Sequence, residues 1–280
     1  MLRVQKIDSL DLPGLQPYRT MRRQLEHRQQ GIFVAEGEKV VRRLLESRFG
    51  VVSVLLPEKW LRELDPLLQA RSEDIQVFVA EKKLLETLTG FSMYQGLLAI
   101  GRVPPEPTLD EVLTRSRRPY LLAAVDGLSS AENLGALVRN CVAFNVQALL
   151  VGESSSSPFL RRAVRSSMGF IFQLPVIETM SLLGILADLR RRSVRCIAAA
   201  PGAVRAVPGV DLSVDCCLVF GSEGYGISPS VLAACDEAAA IPMPPTVDSL
   251  NVGSAAAVFL YELNRQRGCM TQMPNRRSGR

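Results

Sequence analysis

Between Gly31 and about Val103 the chain alternates short apolar runs with stretches in which apolar residues recur every three or four positions. "GIFVAEG" and "VVSVLL" are apolar runs with β-branched residues and predict strands. In "EKVVRRLLESRFG" the apolar positions share one helical face, with Gly50 as the expected stop. "IQVFVAEKKLLETLTG" supplies another strand–helix unit, and "QGLLAIGRV" a last strand. The pattern predicts a small α/β layer domain over residues 1–103.

Pro104, Pro105 and Pro107 then interrupt the pattern. Proline lacks an N–H and disfavours helix in the residue before it, so 104–118 reads as a semi-rigid linker. The alternation resumes over 119–270. "PYLLAAVDG", "VQALLVGE", "RCIAAAP", "CCLVFGSEG" and "EAAAIPM" read as strands. The first two are apolar throughout, as strands of a parallel sheet buried on both faces usually are. Helices are expected in "AENLGALVRNCVAF", around 179–192 and 228–235, and from about Leu250 to Arg267. The expected fold is a mainly parallel, doubly wound α/β sheet, which binds ligands outside the carboxyl ends of its strands. The final "TQMPNRRSGR", residues 271–280, reads as a basic tail.

Composition narrows the picture. With 280 residues and 47% apolar content the chain can build two packed cores. No apolar run is long enough for a membrane span, and "MLRVQKIDSLDLPGL" lacks the apolar core and cleavage site of a secretory leader, so the cytoplasm is the expected location. The cysteines form no C-x-x-C pair and His27 is the single histidine, so free thiols are expected and no metal site. The net charge of +5 is modest, but arginines cluster: Arg19, Arg22, Arg23 and Arg28, then Arg161, Arg162 and Arg165 in a stretch, 154–177, without an acid. Such patches attract phosphate backbones.

Three loops follow predicted strands and should share one sheet edge: "AAAPGA" (198–203), "GSEGYGIS" (221–228) and "IPMPPTVDSLN" (241–251). None is a phosphate cradle, since the glycines of "GSEGYG" do not follow G-x-G-x-x-G and Glu223 would repel pyrophosphate. A neutral purine with an amine-bearing tail suits them better. In "DGLSSAENLGALVRNC" Asn133 falls at a helix entrance, with Arg139 six residues on and well away from it in angle. An arginine is not a base, but it can orient a hydroxyl or hold a phosphate. Asp248 or Ser249 is placed to cap the last helix, with Asn251 left to point into a site.

Taken together, "NLGALVRN", "LVFGSEGYGIS" and "IPMPPTVDSLNVGSAAA" resemble, in order and spacing, the three signature motifs of the SpoU/TrmH class of RNA 2′-O-ribose methyltransferases, part of the SPOUT superfamily. "SPFLRRAVRSSMGFIFQLPV" resembles the family's additional arginine–serine–glycine segment. "GIFVAEGEKVVRRLLES" and "QGLLAI" resemble its N-terminal RNA-binding domain, of L30e-like α/β type. The resemblance implies a C-terminal parallel α/β sheet threaded into a deep trefoil knot, S-adenosylmethionine as cofactor, an RNA substrate with ribosomal favoured over transfer RNA, and a homodimer with its active site at the subunit interface. By motif position, Arg139 matches the residue that activates the ribose hydroxyl, supported by Asn133, with Glu223, Ser249 and Asn251 completing the catalytic set. Ala199, Gly221, Ile241, Met243 and Leu250 match cofactor contacts. Arg22, Arg23, Arg165 and Ser167 are the RNA-binding candidates, with Gly169 beside the last. Pro244–Pro245, Gly253 and Phe170 depart from the family pattern and bear on loop shape and substrate preference. A non-catalytic RNA-binding or ribosome-assembly factor on the same fold is the alternative; a dinucleotide oxidoreductase is disfavoured by the missing fingerprint.

Overall fold

The computed structural model describes residues 2–89 and 96–269. The expected tail at 271–280 and the start of "QGLLAI" lie outside them. The chain forms two compact units: the first holds the residues up to Glu106 with Ser130–Arg139 and Ser157–Gln173, and the second holds Pro107–Ser129, Asn140–Ser156 and the chain from Leu174.

In chain order the first part of the sequence builds β1 (Leu2–Lys6), α1 (Gln16–Arg19), α2 (Gln24–Gln29), β2 (Ile32–Glu36), α3 (Glu38–Glu46), β3 (Val51–Leu56), α4 (Glu58–Gln69), β4 (Ile75–Val79), α5 (Lys82–Thr89) and β5 (Leu98–Arg102). The five strands form one sheet in the order β1-β4-β3-β5-β2, with β5 antiparallel to both its neighbours and the others parallel. α3 ends earlier than Gly50. The Ser47 hydroxyl donates to Leu44 O at 2.8 Å and accepts from Phe49 N at 3.1 Å, closing the helix before the glycine is reached. Under this sheet, Gly101 makes room for Phe33: a Cβ there would sit 2.3 Å from the ring. Phe33 then joins Phe49, Phe159 and Phe172, with ring centroids 5.3–6.1 Å apart.

The second part continues with α6 (Leu109–Arg115), β6 (Leu121–Asp126), α7 (Ala131–Ala143), β7 (Ala148–Val151), α8 (Arg161–Ser166), β8 (Val176–Glu178), α9 (Leu182–Arg191), β9 (Arg195–Ala199), β10 (Arg205–Ala206), β11 (Cys216–Gly221), α10 (Pro229–Ala234), β12 (Glu237–Ala240) and α11 (Val252–Gln266). Its seven strands are all parallel, in the order β10-β12-β9-β11-β6-β7-β8. The stretch expected as a linker contains α6, which carries a reciprocal capping box between Thr108 and Glu111 and buries Val112 and Leu113 in this unit's core.

α11 is anchored at its carboxyl end. The Gln266 amide donates to Val210 O and accepts from Leu212 N. Arg267 reaches the carbonyls of Pro119, Tyr120 and Leu212. Within the last turns Glu262 accepts a fork of two hydrogen bonds from Arg265, both 2.7 Å, and one from Gln266. The Arg265 bonds hold the Glu262 carboxyl down, from 4.5 to about 2. A depressed carboxyl contributes stability that is complete above its unfolded value and is lost as pH falls through its folded one. Glu262→Gln should therefore lower the melting temperature at pH 7, and the gap to the parent should close as pH falls from 4.5 towards 2. Calorimetric melts across that range test this; a gap independent of pH excludes it.

Candidate active site

β12, β9 and β11 are adjacent and parallel, so the loops that follow them leave from one edge. They enclose a cavity of about 260 Å³ in the second unit. The end of β9 contributes Ala199, Ala200 and Pro201; β11 and its turn contribute Phe220 to Gly224 and Gly226; the loop after β12 contributes Ile241, Met243, Ser249 and Leu250. Val252, Ala255 and Phe259 of α11 close the wall. All five positions expected at a cofactor line this cavity, together with Glu223 and Ser249. Among the described residues no lysine or arginine does.

The turn after β11 is shaped by backbone contact. At Gly221 a Cβ would lie 2.1 Å from the carbonyl carbon of Gly226 and 2.3 Å from Ile227 N. Ser222 and Gly226 exchange backbone hydrogen bonds at 3.0 Å, and Gly226 has φ +69, so the turn needs glycine at both ends. Its exit is tied to the sheet, since Ser228 N donates to the buried carboxylate of Asp126 at 2.7 Å. Sequence reasoning misses Asp126. Its signal is a lone acid closing the apolar run of β6.

The cap of α11 differs from expectation. Asn251 is the N-cap: its side chain accepts from Gly253 N at 2.9 Å, and its carbonyl accepts from Ala255 N. A capping side chain reaches the N–H two or three residues on, and the helix begins at Val252, so Asp248 and Ser249 stand too early. Asn251 is thus committed to the helix start through its oxygen. Asn140, the residue after Arg139, donates to Gly253 O at 2.6 Å and fixes the same turn from α7. Gly253 uses both backbone groups here.

Asn133 lies in the first turn of α7, where its N–H donates to the Ser130 hydroxyl at 3.3 Å. Arg139 is exposed on the same helix. Both belong to the first unit, whereas Glu223, Ser249 and Asn251 belong to the second.

Of the RNA-binding candidates, Arg22 and Arg23 are exposed between α1 and α2, and Arg23 pairs with Glu26 at 2.9 Å. Arg23 also lines an open cavity of about 410 Å³ with Arg19, Gln16, Thr20 and Asp11; Arg19 pairs with Asp11 at 3.3 Å. Arg165 pairs with Glu36 at 3.0 Å. Ser167 is a correction. It is fully buried and its hydroxyl donates to Val164 O at 2.9 Å, so the side chain presents nothing to RNA. With Met168 at φ 57 and Gly169 at φ 78, it forms a turn packed on α3, where a Cβ on Gly169 would meet Val40 Cα at 3.2 Å.

The cysteines are free thiols, and burial pushes those of Cys196, Cys216 and Cys235 up to about 12, 11 and 12. Among the described residues no cluster could hold a metal ion, and no helix is long and apolar enough to cross a membrane.

Residues 120–261 match the model of the SpoU rRNA Methylase family. An uncharacterised tRNA/rRNA methyltransferase of Mycobacterium bovis is 31% identical over 272 residues, covering 94% of this chain and 93% of the relative. Among solved structures, the SpoU methyltransferase AviRb from Streptomyces viridochromogenes superposes with a TM-score of 0.79 at 25% identity, over 91% of this chain and 97% of that one. An RNA 2′-O ribose methyltransferase superposes with a TM-score of 0.77 at 26% identity, over 94% and 99%. The knot is a matter of how the chain threads, which neither strand order nor these likenesses decide. With the sheet-edge cavity, the motif positions and the near full-length relative in agreement, the chain belongs to the SpoU rRNA methylase family of RNA methyltransferases.

Proposed function

We propose that this protein transfers a methyl group from S-adenosylmethionine to a ribose 2′-hydroxyl of structured RNA, ribosomal RNA in preference to transfer RNA. On this reading it works in the cytoplasm as a homodimer, its second unit threaded as a trefoil knot. Residues 1–103 serve as the RNA-binding domain and 119–270 as the methyltransferase domain.

The cavity between the loops of β9, β11 and β12 carries the proposal, because its lining suits the cofactor's chemistry. Ala199, Phe220, Ile241 and Leu250 offer an apolar slot for a purine, and Glu223 and Ser249 are placed for polar groups. A wall that has a carboxylate and, among the described residues, no lysine or arginine favours a cationic ligand over a phosphate. When bound, S-adenosylmethionine supplies an electrophilic methyl carbon on a positively charged sulfonium.

The chain's own part is placement. Gly221, Ile241 and Leu250 hold the purine through backbone groups, Met243 borders it, and Glu223 and Ser249 take its polar groups. Asn251 fixes the start of α11 beside them. Arg139, balanced by a phosphate of the substrate, orients the ribose hydroxyl. A guanidinium offers only donors, so Arg139 holds the oxygen in place and does not take the hydroxyl proton, which passes to water as the methyl group is transferred. Asn133 steadies that arrangement. The ribose hydroxyl makes RNA the substrate, because DNA lacks it. Arg19, Arg22 and Arg23 grip the phosphate backbone around the polar cavity of the first unit.

Three measurements test these roles. Arg139→Ala should slow single-turnover methylation by about a hundredfold or more, the scale of losing an orienting group, with RNA affinity retained; a near-normal rate sinks the assignment. Gly221→Ala forces the turn's backbone apart and should abolish calorimetric binding of S-adenosylmethionine while the fold persists; unchanged affinity would place the cofactor elsewhere, and binding of NAD instead would overturn the class. Arg19→Ala with Arg23→Ala should weaken RNA binding and lower the slope of log affinity against log salt by about one for each phosphate no longer neutralised. An unchanged slope removes these arginines from the RNA surface. Mapping 2′-O-methyl positions in total RNA with and without the gene identifies the nucleotide.

A further inference from the structure

Glu36, the last residue of β2, is buried at 8% exposure, yet it carries a carboxylate. Two guanidinium groups of α8 meet it, one on each oxygen: Arg161 on Oε2 at 2.7 Å and Arg165 on Oε1 at 3.0 Å. A carboxylate this deep persists only when both oxygens are paired. α8 in turn is pressed onto the first turns of α7. At Gly135 a Cβ would lie 1.9 Å from Ser166 Oγ and 2.4 Å from Ala163 O. The Ser166 hydroxyl donates to Glu132 O at 3.0 Å, and Arg162 pairs with the Glu132 carboxylate at 3.3 Å. Arg139 stands four residues beyond Gly135, on the same face of the helix. All these residues belong to the first unit.

We propose that Glu36 is a positioning residue for Arg139. By pinning α8 to β2 it sets the height and rotation of α7, and with them the place of the Arg139 guanidinium. The proposal rests on the orienting role given to Arg139 above. α7 has no slack against α8 at Gly135, so a displaced α8 carries α7 with it, as close-packed interiors transmit strain. Arg161 and Arg165, drawn from the stretch without acids, thereby acquire a partner inside the protein. The chemistry also supplies a selective lesion. Gln at position 36 keeps the side chain's size but turns one acceptor oxygen into a donor amide, leaving one guanidinium without its acceptor.

The test uses the full chain, S-adenosylmethionine and the transcript carrying the nucleotide that mapping identifies. Glu36→Gln, Arg139→Lys and the double variant are compared by single-turnover rate at saturating RNA and cofactor. Glu36→Gln should slow methyl transfer by about tenfold, equivalent to about 1.4 kcal/mol, with both dissociation constants within about twofold of the parent. Glu36→Asp, which keeps both acceptor oxygens, should recover most of the rate. In the Arg139→Lys background Glu36→Gln should add less than about twofold, because residues acting at one point are not additive. An unchanged rate for Glu36→Gln, or the same factor lost in both backgrounds, overturns the positioning role and leaves Arg139 untouched. Parent-like transfer by both Arg139→Lys and Arg139→Ala overturns the Arg139 reading and the positioning role with it. Should Glu36→Gln melt below the assay temperature, Arg161→Gln, which removes the guanidinium from the other carboxylate oxygen, replaces it with the same expected and overturning outcomes.

Discussion

The cavity exists because the backbone of Gly221 lies against the backbone of Gly226 and Ile227, folding the chain back on itself at the end of β11. β11 is held between β9 and β6 by parallel ladders on both sides, so its end cannot move to accommodate a bulkier residue. The turn must yield instead, and its exit is fastened by Asp126 to the next strand. A side chain at 221 would thus act on the whole wall of the pocket. The scarcity of reactive groups in the lining follows from the same logic. On the proposed reading, a cofactor that brings its own reactive carbon asks the protein for shape, supplied largely by backbone, and for charge, supplied by Glu223.

The amino-terminal end of α11 is the second fixed point. Asn251 and Asn140 meet at Gly253, one accepting from its N–H and the other donating to its carbonyl. The carboxyl-terminal end is clamped by Gln266 and Arg267, which join it to 207–216 and to the start of β6. With both ends tied, the alanines between them pack at a fixed distance from β11, where Phe220 and Phe259 meet edge to face at 6.0 Å. The stiff proline-bearing loop over 241–251 then spans two anchored elements.

Four of the five strands of the second sheet that the apolar pattern predicts are largely buried on both faces, since burial on both sides writes a continuous apolar run; β12 is only half-buried and is legible from its alanines. β1 escapes that pattern because four of its five residues are exposed and only its ladder to β4, distant in sequence, makes it a strand. β8 and β10 are too short to show a period. In the candidate site the lining is legible from three loops, but the commitments of individual side chains are not. Asp248 and Ser249 read as the caps on paper, with Asn251 left for the site, and only the observed start of α11 makes Asn251 the cap. Ser167 reads as a polar group in a basic segment, yet a turn with two positive φ values buries it. Glu36 gives no signal at all, because its partner Arg161 is 125 residues away.

On the proposed reading, the distribution of charge reflects two ligands of opposite sign. A sulfonium cofactor excludes arginine from its pocket, and the lining of the second unit's cavity obeys that. A phosphate backbone demands arginine, and the first unit presents it at Arg19, Arg22 and Arg23. Methyl transfer as proposed needs one further cation, at the ribose hydroxyl. The first turns of α7, which carry it on that reading, are packed without slack inside the first unit. Gly135 is pressed against Ser166 and Ala163 with no room even for a methyl group. One helical turn further on, Arg139 shares that hydrogen-bonded backbone, so the root of its side chain has no motion independent of the packed contact.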